Sequence, residues 1–62
     1  MKNFIIVTTT SGIKNCINVE QISYFYETAN TTKIYLADLN KVIEAKEKFQ
    51  KVCDMIVEAT NN

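Results

Sequence analysis

The chain has 62 residues, 47% of them apolar, and its seven Lys are matched by seven Asp and Glu, with no His, Arg, Trp or Pro. A chain this short buries only about 60% of the surface it exposes when unfolded, so its core is small and help from a partner chain matters. Zero net charge without Arg lacks the basic footprint of a nucleic-acid binder, and the lack of His removes the commonest metal ligand and general base.

The first element in chain order is a strand over residues 3–9, β-branched and aromatic, with Phe4, Ile6 and Thr8 on one face and Ile5, Val7 and Thr9 on the other. Its apolar run, Phe4 to Val7, is too short for a signal-peptide core or a membrane span, so the expectation is a cytoplasmic protein without membrane insertion. Ser11-Gly12 then breaks the pattern with the only glycine, a hairpin signal. A weakly alternating strand follows over 13–18, with Ile13, Asn15 and Ile17 against Lys14, Cys16 and Asn18.

A short polar connection leads into Ile22 to Glu27, where alternation puts Ile22, Tyr24 and Tyr26 on one face and Phe25 on the other. Thr28-Ala29-Asn30-Thr31 reads as a turn, because Asn tolerates left-handed backbone angles. The next strand, 32–37, sets Ile34 and Leu36 against Lys33 and Tyr35. After a turn at Asp38-Leu39-Asn40 the period changes to helical: Phe49, Val52, Cys53, Ile56 and Ala59 form one face of an amphipathic helix. Residues 41–45 fit either a fifth strand before that helix or its first turns, capped by Asn40. Glu44-Lys48 and Glu47-Lys51 are spaced as helical ion pairs, and the tail 60–62 is expected to be disordered.

No constellation carries chemistry. Cys16 and Cys53 have no neighbouring His, Arg or second Cys to lower a thiol pKa, and their separation reads as reduced packing thiols. Glu20 and Glu27, or Glu44 and Glu47, have no spacing that marks an acid/base pair, so neither a catalytic residue nor a cofactor or metal is expected. Aromatics on adjoining strands can serve as a base-stacking platform, but here Glu27 and Asp38 flank them, and nucleic acid is not the expected partner. Tyrosine also suits a protein interface, since its ring buries much area at low entropic cost.

The strand ending at Thr8, the turn Gly12, the stretch Asn18-Val19-Glu20-Gln21-Ile22, Glu27, the strand Thr32 to Leu36 and Lys46-Glu47 together resemble the small flagellar FlbD-type proteins, the swarming-motility family. The resemblance covers nearly the whole chain, implies no catalytic residue and favours strand then helix over 41–59. That family has a basic residue where this chain has Thr9 and a turn Asn-Gly where it has Leu39-Asn40. The strand-turn-strand unit is also similar to part of LytTR-type DNA-binding domains and to many small bacterial proteins without assigned roles.

The expected fold is α+β: one small domain over 1–62, an antiparallel sheet of four or five strands with one C-terminal helix, about 46–59, packed on one face. The expected core is Phe4, Ile6, Ile17, Ile22, Ile34, Leu36, Phe49, Val52, Cys53 and Ile56. One helix of this length cannot cover a sheet that is apolar on both faces. A second copy of the chain, or another protein, is therefore expected on an interface formed by Tyr24, Tyr26, Ile5 and Val7. The function so read is a non-enzymatic self-associating or protein-binding module, the alternative being a nucleic-acid-binding accessory domain that uses the tyrosines and the helix lysines.

Overall fold

The computed structural model describes residues 3–37 and 40–61. Met1, Lys2, Asp38, Leu39 and Asn62 lie outside them, so the expected turn at 38–40 is described only at Asn40 and the expected disordered tail only at Thr60 and Asn61. Among the described residues five strands precede one helix: β1 (Phe4–Thr8), β2 (Lys14–Asn18), a 3-10 turn at Val19–Gln21, β3 (Ile22–Glu27), β4 (Thr32–Leu36), β5 (Lys41–Ala45) and α1 (Phe49–Thr60). Residues 41–45 are thus a strand, and the helix starts later than about residue 46 and takes in Thr60. Glu44 lies in β5 and Glu47 precedes the helix, so the two expected helical ion pairs do not form as such. The helical i,i+4 pair is instead Gln50 Nε2 donating to Asp54 Oδ1 at 3.0 Å.

The chain makes a small α+β fold, but its strands form two antiparallel sheets, β1-β2 and β3-β4-β5, and not one. The turn between β1 and β2 is built where the sequence signals it: Gly12 holds φ at 94° and donates its N–H to the Thr9 carbonyl at 2.9 Å. Asn18 accepts from the Glu20 N–H at 2.9 Å and so caps the 3-10 turn. Between β3 and β4, Thr28 and Thr31 close the expected turn through N–H to carbonyl at 2.8 Å and through their hydroxyls at 2.6 Å.

The split into two sheets has a local cause. Thr9 meets Ala45 of β5 in one antiparallel bridge, and the Lys46 N–H donates to the Thr8 carbonyl at 2.7 Å. The Thr8 N–H, however, is taken by the Glu47 carboxylate, at 2.9 and 3.1 Å to its two oxygens. A strand whose next donor is held by a side chain cannot extend a ladder, and β1 parts from β5 there. At the same corner the fully buried Thr32 hydroxyl donates to the Glu47 carbonyl at 2.8 Å.

The core lies between the two sheets and the helix: Ile5, Val7, Ile17, Ile34, Leu36, Ile43, Ala45 and Val52 are buried, with Ile22, Phe25 and Ile56 packed partly against them. This corrects the expected core and the expected interface at β1. Ile5 and Val7 point inward at 3% and 0% exposure, while Phe4 and Ile6 are exposed at 37% and 55%. The pairing explains it, because Ile17, the one large aliphatic residue of β2, stands opposite Ile5, whereas Ile6 stands opposite Cys16. Burying Ile17 selects the Ile5 face of β1. The helix meets the core through Val52, with Phe49 tilted against Phe25 at 5.2 Å between centroids and both Cys53 and Ile56 half-buried.

Candidate functional site

The β3-β4-β5 sheet turns its aliphatic face inward, and its outer face carries tyrosines. β4 alternates buried Thr32, Ile34 and Leu36 with half-buried Lys33 and Tyr35, as the sequence pattern predicts. On β3 simple alternation fails at one point: Ile22 pairs with Leu36, but Tyr24 pairs with Tyr35, so the strand carries a bulge at Ser23. Ile22 therefore shares the core face with Leu36, and the expectation that Ile22, Tyr24 and Tyr26 share a face is corrected. The bulge turns Tyr24 outward to join Tyr26 and Tyr35.

These three rings stand together. Tyr24 and Tyr35 stack across the strand pair at 4.6 Å with 8° between planes, and Tyr26 lies 6.3 Å from Tyr24 and 6.1 Å from Tyr35, again nearly parallel. Cross-strand aromatic pairs of this kind contribute roughly 0.5–1.5 kcal/mol beyond their buried area. Tyr24 and Tyr26 remain exposed, and Val42 of β5, paired with Tyr35, extends the apolar surface at 46% exposure. Beside the rings runs a shallow concavity of about 540 Å³, walled by Tyr24, Tyr35, Val42 and Lys41.

The polar surroundings are balanced. Lys33 of β4 pairs with Tyr26 on one side and with Glu44 of β5 on the other, and Glu44 accepts the Thr31 hydroxyl at 2.9 Å. The Tyr26 phenol is held above the ordinary tyrosine range, first by the neighbouring Tyr35 side chain, then by partial loss of water, then by the charges that Tyr35, Tyr24 and Glu44 carry when ionised.

Of the four expected interface residues, Tyr24 and Tyr26 come together on this face, while Ile5 and Val7 lie in the core. Tyr35 and Val42 belong to the surface and were not singled out, although the alternation of β4 already places Tyr35 opposite Ile34 and Leu36. The cysteines do not meet: Cys16 is exposed on the outer side of β2 and Cys53 is half-buried on the helix. Among the described residues no cluster of three His, Cys, Asp or Glu side chains could hold a metal ion, and no helix is long and apolar enough to cross a membrane.

No family model, curated protein or solved structure matches the chain. The resemblance to the FlbD-type proteins rests on the residues quoted for it.

Proposed function

We propose that the protein is a non-enzymatic module that associates with itself through the tyrosine-bearing side of the β3-β4-β5 sheet. The observation that carries this reading is the cluster of Tyr24, Tyr26 and Tyr35 with Val42, a contiguous aromatic and aliphatic surface that the helix, docked on the other side of the core, leaves open. Tyrosine is the residue type that binding surfaces concentrate, and charged Lys33 and Glu44 at its border supply the polar rim of both signs that a self-complementary patch needs.

The same geometry disfavours single-stranded nucleic acid. With the Tyr24 and Tyr35 planes at 8° and 4.6 Å, each ring turns one face to the other and offers fewer free faces to a base, and no excess of positive charge surrounds them. The FlbD-type resemblance is compatible with a small accessory protein of this kind.

Light scattering coupled to size exclusion, run over a range of concentrations, tests the reading. The expected result is a mass above that of one chain, with the double variant Tyr24→Ser/Tyr26→Ser shifted toward the monomer. Both side chains are exposed, so this variant leaves the core intact. A strict monomer at every concentration overturns self-association.

A further inference from the structure

The open surface ends at an open edge. In the three-stranded sheet β3 is an edge strand; its Ile22 N–H is taken by the Val19 carbonyl of the 3-10 turn, and among the described residues no side chain or loop backbone hydrogen-bonds to the open side of residues 23–27. Edge strands are commonly guarded by lysine, proline, a short length or a cover. In the two-stranded sheet both strands are edges: β2 is polar, with Lys14, Asn15 and Asn18, while β1 is bridged to β5 at Thr9 and its Thr8 N–H is held by the Glu47 carboxylate. The β5 edge is tied to β1 at Ala45. By contrast β3, Ile-Ser-Tyr-Phe-Tyr-Glu, has neither lysine nor proline, and its one charge sits at the last position.

We propose that β3 is the strand through which two copies of this chain join, edge to edge and antiparallel, into one six-stranded sheet. The inference rests on the self-association reading and gives its geometry. The occupant of an open edge is an extended strand, and β3 is complementary to itself in the register centred on Phe25. A two-fold axis at Phe25 sets Tyr24 opposite Tyr26 of the second copy and Phe25 opposite its own symmetry mate. Outward rings then meet outward rings and core-facing rings meet core-facing rings, as a continuous sheet requires. A shift by one residue would set an outward tyrosine against Phe25, which faces Phe49 and the core. The same register brings Glu27 beside Ser23 of the second copy, a hydroxyl that can donate to the carboxylate, and opposes no like charges. The tyrosines of both copies become one aromatic row, stabilised by cross-strand pairs.

The test combines amide hydrogen exchange with two charge variants. In the native chain, β3 amides are expected to exchange more slowly as concentration rises through the association range, while β2 amides are unaffected. Ser23→Lys places a cation opposite Glu27 of the second copy at both ends of the joint and is expected to tighten association by about threefold or more. The double variant Ser23→Lys/Glu27→Lys places like charges there and is expected to weaken it by a similar or larger factor. Association with β3 amides unprotected overturns edge pairing and leaves the self-association reading standing, through the tyrosine face alone. Protected β3 amides with both variants behaving alike overturn the register. A monomer at every concentration overturns both readings, and β3 protection that appears only with a foreign strand-forming peptide would assign the edge to a different partner.

Discussion

At the scale of single residues, the tyrosine cluster is the part of the molecule whose chemistry departs from the ordinary. Tyr26 is surrounded by groups that favour its neutral form, with the Tyr35 side chain foremost. Because the folded-state pKa is raised above that of the unfolded chain, the neutral phenol contributes stability that is fully present below the ordinary tyrosine range and is lost as pH rises through the raised value. An alkaline titration followed by tyrosinate absorbance should therefore show one phenol ionising after the ordinary range, and Tyr26→Phe should delete that late component. If the late component survived in the variant, the assignment to Tyr26 would be wrong. The sequence singled out Tyr24 and Tyr26 as interface candidates but not Tyr35, and alternation put both on one face with Ile22; the Ser23 bulge that separates them from Ile22 has no sequence signature, since Ser is an ordinary strand residue and the shift is set by how β3 lies on β4.

At the scale of elements, β1 shows where pattern reading ends. Its centre is apolar on both faces, so periodicity carries no information about which face turns inward. The deciding information lies in β2, where Ile17 has one large aliphatic partner position and Cys16 another neighbour, and the register puts Ile17 with Ile5. Val7→Ala is accordingly expected to destabilise the chain by roughly 1–3 kcal/mol in urea unfolding, because it empties a fully buried site, whereas Ile6→Ala should change stability by less than about 1 kcal/mol. The reverse ranking would restore Phe4 and Ile6 to the core. The helix was legible for the opposite reason. Its apolar residues recur at one period only, and Val52 at the centre of that stripe is fully buried. Its start was less legible because Lys48 provides no side-chain cap, so nothing in composition marks Phe49 as the first helical residue.

At the scale of the whole molecule, the corner at Glu47 holds the two sheets and the helix in one arrangement. Its carboxylate binds β1, its carbonyl binds β4 through Thr32, and its position in the chain joins β5 to α1. Thr32→Val keeps the volume and removes the donor, leaving the Glu47 carbonyl without its partner in a partly buried site; the expected loss is ~1–3 kcal/mol by chemical denaturation, and Thr32→Ser, which keeps the hydroxyl, should lose less. A larger loss for Thr32→Ser than for Thr32→Val would mean that the methyl group and not the hydrogen bond matters there. This corner was invisible beforehand, since Glu47 looked like one half of a helical ion pair and its true partner, Thr8, is remote in the chain.

The two ends of the described chain are joined as well, by the Asn3 N–H donating to the Ala59 carbonyl at 3.0 Å. Carbonyls in the last turn of a helix have no partner within it, and in most proteins that turn frays independently of the rest. Here the final turn can loosen only by releasing the entry to β1, and the entry to β1 can loosen only by exposing the helix end. Opening at the helix end is thereby coupled to the strand that supplies Ile5 and Val7 to the core, so the Asn3 amide and the last turn of the helix are expected to lose protection from hydrogen exchange together.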